Sequence, residues 1–306
     1  MTVSANEYLK KILLAPVYEA AVQSDCMQMT RLSETLQQQV FLKREDQQPV
    51  KSFKLRGAYN RIAQLSQAQL DAGVIAASAG NHAQGVAYAA KRKQIKATIV
   101  MPETTPDIKV EAVRNFGGEY VTIVQHGTSF DAASHRAKAL ASELGMTLIP
   151  PFDDPDVIAG QGTVARELLE QCPDLEVVYI AVGGGGLAAG MAVYLKELNP
   201  AIKVIGVEVD ESACLKAALD AGQPVTLPSV GIFADGVAVK TIGTETFRLC
   251  QAYLDDVVTV TNDEICTAIK DIFDDIRVIA EPAGAMLVAA IRKYASAHQG
   301  KNVAGM

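Results

Sequence analysis

Short apolar, β-rich runs alternate with helix-like stretches along almost the whole chain, and this alternation restricts the fold more than any other feature. Val40–Leu42, Val74–Ala77, Ala97–Met101, Tyr120–Val124, Thr147–Ile149, Val177–Val182, Val204–Val209 and Val257–Val260 read as strands. Helical patterns run over Leu55–Gln64, Ala83–Lys91, about Ser129–Leu144 and Leu187–Leu198. Asn262-Asp263 reads as the cap of a helix from Glu264 to about Asp275. Strand, helix and strand at this spacing form βαβ units. The expected class is therefore α/β, with mostly parallel twisted sheets covered by helices. Residues 65–149 form a compact run expected to be a small α/β domain. The expected large domain is discontinuous, 1–64 and 150–306, with Pro150-Pro151 at the return crossing.

Composition removes several functions. Hydrophobic residues are 49 % and charged residues 21 % of the 306, the profile of a soluble globular chain. Net charge is −7 and no basic run stands out, which argues against nucleic acid as a partner. No apolar stretch reaches the roughly 18 residues of a membrane span, so no membrane partner is expected. Met1–Lys11 has neither a signal-peptide apolar core nor an Arg-rich presequence, so a cytoplasmic location is expected. The five cysteines (Cys26, Cys172, Cys214, Cys250, Cys266) are odd in number and widely spaced, against both a disulfide framework and a zinc site. His82, His126, His135 and His298 are too scattered for a metal pair at helical spacing.

Three segments carry chemistry. Ser52-Phe53-Lys54-Leu55-Arg56-Gly57 puts a lysine on a turn at a helix start, beside an aromatic ring. Lys54 is there either an ordinary helix-start cation or a nucleophile toward an aldehyde. Gly183-Gly184-Gly185-Gly186 lies between a buried strand and the helix from Leu187. Glycines let the backbone turn tightly and its N–H groups converge, and the positive end of the helix adds to them. The result is an anion site, most simply for a phosphate. The spacing is neither the dinucleotide fingerprint nor a P-loop. Ser78-Ala79-Gly80-Asn81-His82-Ala83-Gln84-Gly85 also joins a strand to a helix. Its small residues admit a ligand, while Ser78 and Asn81 either bond that ligand or merely cap the helix. Both loops sit at strand C-terminal ends, where open α/β sheets bind ligands. An amine nucleophile and a phosphate cradle suit a phosphorylated aldehyde, pyridoxal phosphate, and leave the second loop for a substrate carboxylate.

These segments, with Ile158–Thr163 and Glu281-Pro282-Ala283-Gly284, resemble the serine/threonine dehydratases of the fold type II (tryptophan synthase β-like) pyridoxal-phosphate enzymes. The likeness runs over essentially the whole chain. Tyr8-Leu9, Val17–Ala21 and Lys43-Arg44-Glu45-Asp46 are most similar to the branch that deaminates threonine in biosynthesis. The resemblance implies a two-domain fold whose large domain binds pyridoxal phosphate. It implies that Lys54 carries the cofactor, that Phe53 packs on its ring, and that Asn81 contacts the ring hydroxyl. Gly183, Gly184, Gly185, Gly186 and Leu187 would hold the phosphate. Lys54 would remove the Cα proton, Ser78 would be a second catalytic residue, and Ser78, Ala79, Gly80, Asn81 and His82 would hold the substrate carboxylate. Threonine, with serine beside it, is the implied substrate, and a homodimer or homotetramer the implied assembly.

Some residues depart from the family pattern. Ala79 stands where the family's racemases carry a second serine as the opposite-face acid/base, which favours elimination over racemisation. Glu208 matches a divalent-metal ligand of racemase-like relatives, but Cys214 aligns near the later acidic ligand, so no metal is expected. Lys301–Met306 reads as the first half of a strand. In the family a Ser-Gly-Ala-Asn segment follows that point, and the biosynthetic branch adds a C-terminal regulatory domain. A catalytic fragment lacking its last strand and that domain is therefore expected. A serine-preferring dehydratase or racemase, a non-catalytic cofactor or phosphate binder and, more weakly, a nicotinamide-dependent dehydrogenase are the alternatives.

Overall fold

The computed structural model describes residues 3–306; Met1 and Thr2, the start of the segment read above for targeting signals, lie outside the described residues. Its strands are β1 (Cys26–Gln28), β2 (Gln39–Lys43), β3 (Val74–Ala77), β4 (Ala97–Met101), β5 (Val121–Gln125), β6 (Thr147–Leu148), β7 (Val177–Ala181), β8 (Lys203–Val209), β9 (Asp256–Val260) and β10 (Asn302–Gly305). Its helices are α1 (Ala5–Leu14), α2 (Thr30–Leu36), α3 (Lys54–Ala63), α4 (Gln67–Ala72), α5 (Asn81–Lys93), α6 (Asp107–Gly117) and α7 (Phe130–Leu144). They continue with α8 (Pro155–Gln171), α9 (Gly186–Leu198), α10 (Cys214–Ala221), α11 (Thr244–Tyr253), α12 (Asn262–Ile276) and α13 (Pro282–Lys293). The chain divides into two compact units. One holds Met1–Leu13, Ser24–Glu45 and Gly162–Met306, the other Leu14–Gln23 and Asp46–Gln161.

The larger unit is built on a six-stranded sheet in the order β1-β2-β10-β7-β8-β9, parallel except for β1 at the edge. Strand side chains alternate between faces. Val177 and Tyr179 join the buried cluster formed with α12 and α13, and the intervening Val178 and Ile180 are buried on the opposite face. Both faces are thus covered, which is why β7 reads as a continuous apolar run rather than an alternating one. Asn302–Gly305, read from sequence as the start of a strand, is β10 and pairs with β2 and β7 on its two sides.

The smaller unit carries a four-stranded parallel sheet, β5-β4-β3-β6. Val74, Ala76, Ala97 and Ile99 face the core made with α3, α5 and α6, while Ile75, Ala77 and Val100 face α7. Every residue of β3 and β4 is buried. This packing fixes the ends of both strands, and the loop after β3 carries Ser78–Gly80.

The units divide elsewhere than at the expected 64/65 and 149/150, since residues 14–23, 46–64 and 150–161 fall in the smaller unit, Lys54 among them. One helix cap differs too. Thr261, not Asn262-Asp263, caps α12, through a reciprocal capping box with Glu264. Among the described residues no helix is long and apolar enough to cross a membrane.

Candidate active site

Lys54 is approached through a tight turn. The Lys51 N–H donates to the Gln48 carbonyl at 2.8 Å, and Lys51 has a left-handed backbone, φ 60°. A non-glycine residue adopts this conformation only where the surroundings enforce it. The turn lets α3 begin on Lys54 itself, with Phe53 as its cap residue. The Lys54 Nζ donates to the Pro151 carbonyl at 3.1 Å and lies 5.4 Å from the centre of the Phe53 ring. Pro151, expected from sequence to lie at a crossing between domains, lies within the smaller unit and supplies an acceptor to this amine.

Glycines set the position of α3. A Cβ on Gly160 would come within 2.6 Å of both the Arg56 carbonyl oxygen and the Gly57 Cα. A Cβ on Gly57 would come within 2.8 Å of the Val157 carbonyl. The helices carrying these residues therefore touch backbone to backbone, and the Gly57 N–H donates to Gln161 Oε1 at 3.2 Å. On another side, a Cβ on Gly85 would sit 3.1 Å from the Leu55 nitrogen and 3.2 Å from the Lys54 carbonyl. Gly57, Gly85, Gly160 and Gln161 thus position Lys54. The sequence displayed their motifs without saying why glycine was needed there.

The loop after β3 lies in the same unit. Gly80 caps α5 with no side-chain bond, so neither Ser78 nor Asn81 is the N-cap. The Ser78 N–H donates to Val100 and the Gly80 N–H donates to Ser78 Oγ at 3.2 Å. Ser78, Ala79, Gly80 and Asn81 are half-buried. His82 is buried, with Nε2 2.9 Å from the Ile149 carbonyl. A carbonyl only accepts, so Nε2 carries the proton. Burial, and after it the charge of Lys54, push the imidazole down to about 3. His82 is therefore neutral, and its Nδ1 is a buried acceptor with no partner among the described residues.

The glycine loop belongs to the larger unit. Side-chain donors meet three of its carbonyls. The Gly183 oxygen accepts from Cys214 Sγ at 3.4 Å, that of Gly184 from Thr246 Oγ1 at 2.7 Å, and that of Gly185 from Cys250 Sγ at 3.9 Å. Gly185 is left-handed, φ 86°, and a Cβ there would strike Ile242 at 2.8 Å. Gly184, Gly186 and Leu187 are buried, and among the described residues their N–H groups meet no acceptor in the chain. Buried N–H groups at a helix start need an acceptor, and an anion supplies one. Thr246, Cys214 and Cys250 carry no motif signal, because contacts brought by α10 and α11 are set only by the tertiary fold.

Glu208 is more than the strand-end carboxylate read from sequence. It is fully buried and accepts from the Leu215 and Lys216 N–H groups at 2.7 and 2.8 Å, which caps α10. Burial raises it to about 7 despite those two bonds. Burial and then the neighbouring Glu208 push the Cys214 thiol up to about 12. Among the described residues no three His, Cys, Asp or Glu side chains converge on a metal position.

The residues present fit a phosphorylated aldehyde. Unpartnered buried N–H groups answer a phosphate, and a held lysine amine beside an aromatic ring answers an aldehyde carbon. Lys54, Phe53 and residues 78–82 lie together in the smaller unit, and Gly183–Leu187 in the larger.

Comparison with known proteins agrees. The family profile described as pyridoxal-phosphate dependent enzyme matches residues 18–305. The chain is 59 % identical over 292 residues to the biosynthetic L-threonine dehydratase of Escherichia coli, covering 95 % of this chain and 56 % of that protein. The chain thus spans little more than half the length of the curated relatives it matches. The solved structure of the processed form of threonine deaminase isoform 2 from Solanum lycopersicum is 46 % identical, with a TM-score of 0.95 over 98 % of this chain and 88 % of that one. Maize serine racemase is 32 % identical, with a TM-score of 0.93 over 100 % and 92 %. With a held lysine amine, an anion-seeking glycine loop and these matches over nearly its whole length, the chain belongs to the family of pyridoxal-phosphate-dependent enzymes.

Proposed function

We propose that the chain converts L-threonine to 2-oxobutanoate and ammonia by α,β-elimination, the reaction class named in its threonine-dehydratase relatives. The 59 % identity to the biosynthetic enzyme carries this reading, and the held amine of Lys54 supports it. When bound, pyridoxal phosphate supplies an aldehyde for the amines of Lys54 and substrate, and a ring that accepts the electron pair left at Cα. The N–H groups of Gly183–Leu187 would hold its phosphate, Phe53 would lie beside its ring and Asn81 would bond its ring hydroxyl. The Lys54 amine takes the Cα proton, which is the difficult step and needs a base fixed in place. Ser78, with Ala79, Gly80 and Asn81, holds the carboxylate at the positive end of α5. His82 contributes its backbone N–H, since its Nε2 is committed to Ile149. Ala79 leaves the opposite face of Cα without a second base, which favours elimination over racemisation. The same reading places the chain in branched-chain amino-acid biosynthesis, in the cytoplasm and as a homo-oligomer, a dimer or tetramer.

The test is release of 2-oxobutanoate from threonine by the chain supplied with cofactor, beside Lys54→Ala. The variant should lose the yellow absorbance of lysine-bound cofactor, and the activity with it. Activity retained by Lys54→Ala would overturn the lysine assignment. A kcat/KM for serine above that for threonine would replace the substrate. One methyl group is worth only about 1–3 kcal/mol in a pocket, so measurable serine turnover is expected.

A further inference from the structure

Two thiols meet in the larger unit. Cys26 on edge strand β1 and Cys172, just after α8, are 146 residues apart in sequence, yet their sulfurs are 3.2 Å apart. Cys26 is partly exposed and Cys172 retains 9 % exposure. Lys43 is the register partner of Cys26 across β1 and β2. Its buried Nζ bonds the Ser24 carbonyl, Glu167 and Gln171, and Gln171 bonds Ser24 in turn. These bonds tie β1 to the end of α8 and hold the two thiols in place. A cation beside a partly exposed thiol is the setting in which cysteines react. The hydrogen bond from Cys26, and then the charge of Lys43, hold the Cys172 thiol below its ordinary value. The other cysteines lack this setting. Cys214 and Cys250 are buried under the glycine loop, with burial raising both thiols. Cys266 is exposed on α12.

We propose that Cys26 and Cys172 are a peroxide-reactive dithiol that closes to an intramolecular disulfide. The Cys172 thiolate attacks one oxygen of hydrogen peroxide. The O–O bond breaks, and a Cys172 sulfenic acid forms as hydroxide leaves and is protonated to water. The Cys26 sulfur then attacks the Cys172 sulfur. The S–O bond breaks, the S–S bond forms, and the hydroxyl departs as water with the Cys26 proton. The two thiols together lose two electrons, one peroxide gains them, and two waters result. The sulfurs need roughly 1 Å of further approach to reach bonding distance. A small dithiol reverses the product by exchange.

The test uses the intact chain with Cys266→Ser, which removes the exposed thiol. It is treated with a small excess of peroxide, quenched with an alkylating reagent under denaturing conditions and weighed. The expected product carries two alkyl groups where the reduced chain carries four and, allowing for those groups, is about 2 mass units lighter; its digest yields one linked pair of peptides containing Cys26 and Cys172. Dithiothreitol restores both thiols. Closing so long a loop should raise the melting temperature by roughly 5 °C. Introducing Cys172→Ser, or separately Cys26→Ser, should abolish the mass loss. The proposal is overturned if all thiols stay titratable, if the link joins other cysteines or two chains, or if oxygen atoms accumulate on Cys26 and Cys172 without a link.

Discussion

Thr246→Val isolates the bond that aims the glycine loop. Thr246 is fully buried, and its hydroxyl donates to the Gly184 carbonyl at 2.7 Å, with the Gly243 carbonyl farther off at 3.2 Å. Valine keeps the shape of the side chain and removes the hydroxyl. The Gly184 carbonyl is then buried without its partner, which costs about 1–3 kcal/mol. The peptide that carries this carbonyl also carries the Gly185 N–H on its other side. A carbonyl that swings to find a new donor therefore drags an N–H away from the phosphate position. If the strain falls on the cofactor-bound form, the cofactor Kd should rise by about 5- to 150-fold, since 1.4 kcal/mol is tenfold. The chemistry at Lys54 is not touched, so saturating cofactor should restore kcat to within about twofold. Thr246→Ser keeps the hydroxyl and should bind cofactor nearly as the parent does.

Cofactor titration followed by absorbance gives the Kd, and threonine turnover at saturating cofactor gives kcat. An unchanged Kd in Thr246→Val would refute the idea that this hydroxyl orients the loop. A kcat loss that cofactor cannot rescue would instead place Thr246 in the chemistry, which the geometry does not allow for.

Three further outcomes follow from contacts already described. Gly160→Ala pushes a methyl to 2.6 Å from the Arg56 carbonyl, where only backbone can move, and should cost about 3 kcal/mol or more, read as a lowered urea midpoint or as loss of soluble protein. Gly85→Ala meets Lys54 and Leu55 backbone at 3.1–3.2 Å, a clash that a shift of a few tenths of an ångström relieves. It should lower kcat roughly tenfold while the melting temperature moves by only about 2 °C, because misplacement of the amine is the main effect. Glu208 is raised from 4.5 to about 7, so the folded chain keeps a proton that the unfolded chain releases. Its contribution is full below pH 4.5 and is lost as pH climbs to 7, by up to about 1.4 kcal/mol per pH unit. Relative to Glu208→Gln, the parent should therefore lose stability across that window in urea unfolding at several pH values; a constant difference contradicts the buried, uncharged state.

β3, β4 and β7 were legible in the sequence because they are buried on both faces and read as unbroken apolar runs, whereas the half-exposed edge strand β1 carries no such run and was not read. Val74–Ala77 and Val177–Ala181 are the clearest cases. Helix α8 was harder. It carries two glycines, which locally disfavour a helix, and those glycines exist for contacts that no local pattern encodes. Lys54 and the glycine run were visible because each sits at a strand or helix boundary with its own local logic. The cap of α10 by Glu208 and the bond from Thr246 were not visible, since both join residues that only the sheet brings together. His82 shows the limit in a single side chain. Its residue type suggested a ligand contact or a structural role, and only the Ile149 carbonyl beside Nε2 decides which nitrogen holds the proton.

The two loops show one principle applied in different ways. In the loop before α9 the carbonyls are drawn back by three side chains, Cys214, Thr246 and Cys250, so the opposite faces of those peptides present N–H groups at the positive end of a helix. In the loop before α5 no side chain caps the helix, and the Ser78 hydroxyl instead takes up the Gly80 N–H. The first arrangement spends side-chain donors to keep backbone donors free, which suits a dianion that stays bound. The second leaves a helix start with small residues and one hydroxyl, which suits a carboxylate that arrives and leaves with each turnover. On the proposed function, the loops differ in residue type because a tightly held cofactor rewards a rigid cradle, whereas a substrate needs a site that can release it.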